Sequence, residues 1–206
     1  MDTYLAGCLT PERTMPTPNP AALEFLSTRR STPPKLMSLP VPSAEELAPL
    51  LQAAVRVPDH GKLEPWRLIV LSRPAMVRMA DLAEARAVER GGDAEMIAKG
   101  RGQYDQGHLA VVVVASPKEN PKIPASEQLL SAGCVCLSLV NAAIAAGWGA
   151  CWLSGWPNHD RTFVERAYGL AAHETVAGII HIGTPTTPVA DRPRPDLGAL
   201  TQWLAE

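Results

Sequence analysis

The sequence predicts one domain of the α+β or mixed α/β class, with three or more helices packed on a sheet of four or five strands. Three observations predict it: a long helix with almost no charge, four short strand-like runs, and helical periodicity between those runs. With 206 residues, of which 46% are hydrophobic, the chain is long enough to form its own core. The formal net charge is −2, so nothing in the composition points to nucleic acid.

Proline marks the two ends of the chain. Its 20 prolines concentrate between Pro11 and Pro42 and between Pro185 and Pro195. Such segments favour extended conformations over helices or strands. We therefore predict an extended or disordered arm over residues 1–18 and a domain over residues 19–206, whose carboxyl arm is extended from about residue 186.

Two helix starts can be identified near the amino terminus. Asn19-Pro20 predicts the first start, because proline is favoured at the first helical position. This short helix is expected to be anchored by Leu23, Phe25 and Leu26 and to end near Arg29-Arg30-Ser31. Ser43-Ala44-Glu45-Glu46 is a capping box that predicts the second. The second helix must end before Pro58.

Short β-branched runs predict the strands, and those over residues 67–71 and 109–115 are apolar enough to be buried on both faces. Two further strands are expected after the long helix. The predicted strands are residues 67–71, 109–115, 150–153 and 176–182, and helices are predicted over residues 74–90, 94–103 and 161–168.

The long helix over Ser126–Ala146 is the segment around which the rest is expected to pack. No charged residue occurs between Glu127 and Asp160, and every face of the helix is apolar or small. Such a helix is typically buried. At about 1.5 Å per residue it is about 30 Å long, so a chain of this size can hardly cover it alone. We expect a second copy of the chain to cover part of it.

A membrane span is the alternative interpretation of this helix, because its length and lack of charge also fit one. Against it, alanine, glycine and serine supply most of the segment, Asn141 lies inside it, and Gly147-Trp148-Gly149 interrupts it. Neither flank has a Lys/Arg cluster. We therefore predict a protein that does not enter the membrane.

The cysteines favour a reducing compartment. Three of the four, Cys134, Cys136 and Cys151, lie in or just after the long helix, where cysteine usually serves as a small apolar residue, and no histidine stands at ligand spacing. We predict no metal site, no disulfide and a cytoplasmic location. We also find no Ser-His-Asp order, glycine-rich phosphate loop or paired carboxylates.

Basic groups at the ends of elements are the remaining candidates for binding. Arg29, Arg30 and Ser31 offer two guanidinium groups and a hydroxyl, which suit a phosphate; a solvated surface is the alternative. Arg56 and His60 flank the Pro58 turn in a similar way, again with ordinary surface residues as the alternative.

An ordered series of motifs over roughly residues 20–186 resembles the nitroreductase family. Each motif alone is weak, whereas the order of the series is specific. The series is Thr28-Arg29-Arg30-Ser31, Arg56-Val57-Pro58-Asp59-His60, Pro65-Trp66, Glu127, Ser131-Ala132-Gly133, the segment from Gly147 to Gly155, and Ile182-Gly183-Thr184-Pro185.

The resemblance implies a nitroreductase-like α+β fold, with a mixed or antiparallel sheet of four to five strands, in an intertwined homodimer. It also implies noncovalent FMN at the dimer interface and NADH or NADPH as the electron donor. Hydride would pass to FMN N5 and on to a nitroaromatic, quinone or related flat electrophile by a ping-pong mechanism. Because the flavin carries the chemistry, no catalytic side chain is expected.

The resemblance also implies three groups of cofactor-binding residues. Arg29, Arg30 and Ser31 would bind the phosphate and ribityl end, and Arg56 and His60 would come from the neighbouring subunit near the ring. Trp152, Leu153, Ser154 and Gly155 would run along the ring.

Some positions depart from the family pattern. Leu153 stands where close relatives have arginine, and Lys62 and Glu64 replace the usual Asn and Gln. Arg192 or Arg194 of the carboxyl arm would be a further phosphate contact. The departures leave an alternative function open, a flavin- or small-ligand-binding module without turnover.

Overall fold

The computed structural model describes residues 17–204 as seven α-helices and five strands. The predicted amino-terminal arm lies almost wholly outside the described residues, as does Cys8. The helices are α1 Pro20–Thr28, α2 Ala44–Ala54, α3 Arg73–Glu89, α4 Ala94–Asp105, α5 Ala125–Ala145, α6 Arg161–Tyr168 and α7 Leu197–Leu200. The strands are β1 Met37–Ser38, β2 Trp66–Ser72, β3 Leu109–Ala115, β4 Gly149–Leu153 and β5 Thr175–Pro185.

All strand pairs in the sheet are antiparallel, which makes the fold α+β and removes the mixed α/β alternative. The strand order is β2-β3-β5-β4, and β1 pairs with the last two residues of β5. The four predicted strands are confirmed, whereas β1 was not predicted. A two-residue strand is too short to leave a periodic signal in the sequence.

Helices cover both faces of the sheet. On one face, α2 and α5 enclose a core that includes Leu139 and Ile180. On the other face, α3, α4 and α6 enclose a second core around Tyr104, Phe163 and Ile179. Ile179 and Ile180 are neighbours on β5 and lie in different cores, because successive side chains of a strand point to opposite faces.

The prediction that β2 is buried on both faces is wrong, although it holds for β3. Every residue of β3 is buried, whereas most of β2 is only half-buried and Val70 is exposed. The reason is position: β2 pairs only with β3 and forms an edge of the sheet.

Both predicted helix starts are confirmed by their capping hydrogen bonds. Asn19 Oδ1 accepts from the backbone N–H of Ala22 at 3.1 Å. At α2, Ser43 Oγ accepts from the Glu46 N–H at 3.2 Å, and Glu46 Oε2 accepts from the Ser43 N–H at 2.8 Å. The predicted anchoring of α1 is wrong within one chain, since its leucines remain largely exposed.

Helix α5 is buried on one side only, in agreement with the expectation that a chain of this size cannot cover the whole helix alone. Its core side includes Val135 and Leu139, whereas Leu130 and Leu137 on the opposite side are 71% and 46% exposed. Among the described helices, α5 is the one long and apolar enough to cross a membrane. However, seven of its residues are buried inside this domain.

Candidate functional site

A cleft of about 590 Å³ opens between α4 and the carboxyl end of β4. Its walls come from two elements that are far apart in the sequence but adjacent in the fold. Three of the four residues predicted to lie along a flavin ring form one wall. The walls include Glu95, Lys99, Gln103 and Gln106 from α4 and its end, and Leu153, Ser154, Gly155 and Trp156 from the opposite side.

Trp152, the fourth of these predicted residues, lies on the other face of the sheet. Its indole packs so closely on Gly178 of β5 that a side chain there would overlap the ring nitrogen. A Cβ at Gly133 of α5 would lie 4.0 Å from the same indole. The alternation of β4 therefore directs Trp152 toward α5 and Leu153 toward the cleft.

The segment after β4 is fixed against α4. Trp156 Nε1 donates to the backbone carbonyl of Met96 at 3.0 Å, and the guanidinium carbon of Arg90 lies 5.3 Å from the centre of the Trp156 ring. Ser154 Oγ and His159 Nε2 are 3.1 Å apart. These contacts hold the wall formed by Leu153–Trp156 in one position.

The segment after α1 lies beside the beginning of β4, because the Thr32 N–H donates to the Ala150 carbonyl at 3.0 Å. In this segment, Arg29 Nη1 is buried and has no hydrogen-bond partner among the described residues. A buried guanidinium nitrogen without a hydrogen-bond acceptor destabilises the folded chain, unless an anion or a water molecule accepts its hydrogen bond. The arrangement therefore fits the phosphate role predicted for Arg29.

Arg30 and the carboxyl arm are in contact. Arg30 Nε donates to the Ala190 carbonyl at 3.1 Å and lies 3.7 Å from Asp191 Oδ1. Arg194 Nη2 also donates to Asp191 Oδ1, at 2.8 Å. The arm thus returns to the predicted phosphate-binding segment, but Arg30 and Arg194 already have partners within the chain.

Arg56 and His60 lie elsewhere, in the connection from α2 to β2, and both are exposed. His60 Nδ1 is 2.9 Å from Glu127 Oε2 at the start of α5. Within residues 17–204, no hydrogen bond or ion pair joins either residue to Arg29, Arg30, Ser31 or the Trp152–Gly155 segment. Within one chain, no hydrogen bond or ion pair among the described residues therefore links the two predicted groups.

Three buried polar side chains near the cleft were not predicted. Eight buried side-chain nitrogen or oxygen atoms lack a partner among the described residues, and six of them belong to Gln103, Asn158 and His181. Gln103 packs on Gly155, and the Asn158 N–H donates to the Gly155 carbonyl at 3.1 Å. In the sequence each is an isolated polar residue, so only the fold reveals this concentration.

Two thiols on the two sides of the sheet are inert. Burial raises the pKa of Cys136 and of Cys151 to about 12, so both are neutral near pH 7. Cys134 is also a free thiol. Among the residues that the structure describes, no cluster of His, Cys, Asp or Glu could hold a metal ion.

Comparison with known sequences identifies one family. The sequence model of the Nitroreductase family matches residues 26–184. Escherichia coli strain K12 has a relative, YdjA, which carries the provisional name NAD(P)H nitroreductase. The two sequences are 35% identical over 164 residues, covering 80% of this chain and 88% of YdjA.

Solved structures show the same fold. A nitroreductase-like family protein from Bacillus cereus has a TM-score of 0.73 at 21% identity, covering 94% of this chain and all of the other. A variant of NfnB from Sphingopyxis sp. strain HMH, described as an FMN and NADPH-dependent nitroreductase, has a TM-score of 0.69 at 21% identity. That match covers 88% of this chain and 98% of NfnB.

Proposed function

This chain belongs to the nitroreductase family, and from that premise we propose that it is an FMN-dependent NAD(P)H oxidoreductase. Its acceptors would be nitroaromatics, quinones or related flat electrophiles, reduced by a ping-pong mechanism. The observation that carries the proposal is the buried Arg29 Nη1, which lacks a partner within the described chain. A cofactor phosphate would supply that partner.

In this proposal two parts of the chain bind FMN. Arg29 and Ser31 would bind the phosphate and ribityl end, and Arg30 would add positive charge while it holds the carboxyl arm. Leu153, Ser154 and Gly155 would contact the ring, because they form the fixed wall of the open cleft. When bound, FMN would supply the hydride chemistry, taking hydride from NADH or NADPH and delivering it to the acceptor.

We also propose that the active form is a homodimer. Leu130 and Leu137 present an apolar face of α5 that the chain itself leaves uncovered. Arg56 and His60 lie apart from the other predicted site residues of the same chain, as expected if they serve the site of a second copy. A symmetric dimer would cover the apolar face and complete two sites together.

A cytoplasmic location without membrane insertion is part of the proposal. Cys134, Cys136 and Cys151 are free thiols, which suits a reducing compartment. Seven residues of helix α5 are buried inside the domain, so inserting the helix into a bilayer would remove them from the domain.

The direct test is the visible spectrum of the purified protein. With FMN added and excess removed, we expect flavin absorption bands that bleach when NADH or NADPH is added without oxygen. Separate titrations with the two donors would measure the preference between them. A colourless protein that does not retain FMN contradicts the proposal.

The competing function is a flavin- or small-ligand-binding module without turnover. Lys62 and Glu64, which depart from the family pattern, adopt left-handed backbone conformations with φ of 54° and 47°. Such conformations are strained for residues other than glycine, and strained backbone is concentrated at functional sites, so both changed residues lie in a segment that would shape the ligand pocket. This module would bind FMN and stay yellow when either donor is added.

Arg29→Ala tests the phosphate contact. We expect it to weaken FMN binding by about 1.5–3 kcal/mol, roughly ten- to a hundredfold in Kd, because a charge-assisted hydrogen bond is lost. Fluorescence titration of FMN measures the effect. Arg78→Ala, at an exposed position of α3, is the control and should bind FMN like the wild type. Unchanged affinity in Arg29→Ala would exclude this contact.

A further inference from the structure

The side-chain amide of Gln103 is the most unusual polar group at the cleft. Gln103 is only 6% exposed, and neither Oε1 nor Nε2 has a hydrogen-bond partner among the described residues. The residue nevertheless lines the open cleft opposite Leu153 and Ser154. Buried amides are almost always hydrogen-bonded, so an unpaired one next to a cleft points to a ligand.

The neighbouring glycine allows the amide to lie where it does. A Cβ at Gly155 would collide with Gln103 Oε1, so any larger residue would displace the amide or the wall. Both amide atoms are buried against Gly155 in this position, so the side chain must turn outward to meet a ligand in the cleft. Because the amide makes no hydrogen bond here, no hydrogen bond is lost when it turns.

The chemistry of the amide limits what it can recognise. It offers one N–H donor and one carbonyl acceptor side by side, and another uncharged carboxamide satisfies both with two hydrogen bonds. The charged residues of this wall do not favour an anion, since Lys99 Nζ and Glu95 Oε1 are paired at 2.5 Å. The cleft therefore suits a neutral ligand with a carboxamide group.

We propose that Gln103 is a specificity-determining residue that binds the carboxamide of the reduced nicotinamide ring. The proposal rests on the oxidoreductase function above, which supplies NADH or NADPH as the molecule that carries this group. Gln103 would hold the donor ring in the part of the cleft that the FMN ring leaves open. Asn158 and His181 are not given this role because neither lines the cleft.

Gln103→Met tests the proposal, because methionine keeps the length of the side chain and removes both polar atoms. The probe is free nicotinamide, titrated into the protein and followed by NMR, with nicotinate as the charged analogue. We expect the wild type to prefer nicotinamide to nicotinate and Gln103→Met to bind nicotinamide about tenfold more weakly. The KM for NADH or NADPH should rise by a similar factor, while the KM for the acceptor stays unchanged.

Gln52→Met is the matched control, since Gln52 is an exposed glutamine of α2 that does not line the cleft. It should bind nicotinamide like the wild type. Thermal unfolding of Gln103→Met should not fall below that of the wild type, because the replaced amide makes no hydrogen bond. If Gln103→Met does not fold, Gln103→Leu replaces it in the same titration.

The possible results distinguish a failure of this proposal from a failure of the proposed oxidoreductase function. If nicotinamide binding depends on Gln103 but the flavin bands do not bleach, the oxidoreductase function fails and the assignment of Gln103 stands. If the wild type does not bind nicotinamide, binds nicotinate equally well, or binds nicotinamide no better than Gln103→Met, the assignment of Gln103 is wrong.

Discussion

The double variant Leu130→Asp, Leu137→Asp is expected to be a monomer that does not retain FMN. In one chain both side chains are exposed, and surface substitutions of this kind usually change the free energy of unfolding by less than about 0.5 kcal/mol. In the proposed dimer the same positions are covered by the partner, so four carboxylates would lose their water. We expect the dimer to be weakened by at least about 4 kcal/mol, roughly a thousandfold in Kd.

Size-exclusion chromatography with light scattering gives the measurement, at a fixed protein concentration. The wild type should have twice the 22.0 kDa mass of one chain, and the double variant that mass itself. Val88→Asp is the control: Val88 is 62% exposed on α3, away from the α5 face, and its replacement should leave the dimer intact. A wild type of single mass, or a double variant that remains dimeric, would remove the dimer from the proposal.

The parts of the fold that the sequence predicts are those that depend only on residues close together in the chain. The Ser43–Glu46 capping box and the β-branched run of β3 each act within a few residues, so their outcomes can be inferred without the rest of the chain. The exposure of β2 depends instead on which strands lie beside it. The uncovered side of α5 likewise follows from the size of the whole domain.

The same distinction applies to the residues of the candidate site. Arg29 and the segment Leu153–Gly155 could be proposed as site residues because their motifs are contiguous in the sequence and belong to an ordered series. Gln103 could not, because an isolated glutamine in a helix has no local pattern. It stands out only because its amide is buried without a hydrogen-bond partner, which is a property of the packed structure. The same holds for His181, a buried residue that does not line the cleft.

We also predict that the protein loses stability in mild acid because of the buried His181. The residue is 1% exposed, and neither ring nitrogen makes a hydrogen bond of ordinary geometry among the described residues, although the backbone of Gln103 gives the ring a weak polar contact. His181 pairs with Ala110 of β3 and with Cys151 of β4 in the sheet. Its ring lies close to Gly107, which is also close to Met76. Burial lowers the pKa of His181 from 6.5 to about 4, with a smaller opposing contribution from the backbone of Gln103.

The direction of the effect follows from proton binding. Below pH 6.5 the unfolded chain binds a proton at this residue, whereas the folded chain does not until about pH 4. The free energy of unfolding is therefore highest above pH 6.5 and falls as the pH drops from 6.5 to about 4. At about 1.4 kcal/mol per pKa unit, the total loss is about 3 kcal/mol.

The pH range of this effect distinguishes His181 from Glu174, whose buried carboxylate titrates at lower pH. The Arg67 guanidinium lowers the pKa of Glu174 from 4.5 to about 2, so its contribution to stability is lost only as the pH falls below 4.5 toward 2. Urea unfolding between pH 7 and pH 4.5 therefore measures mainly the histidine. Protein concentration must be held constant, because subunit association also affects stability.

His181→Leu should remove most of the loss between pH 6.5 and pH 4.5, because leucine has a similar volume and binds no proton. His173→Leu is the control, since His173 is exposed and its replacement should leave the wild-type pH dependence unchanged. A wild-type stability that stays constant from pH 6.5 to pH 4.5 would show that the imidazole is protonated at little cost in the folded state. A His181→Leu variant with the wild-type slope would assign the acid sensitivity to another group.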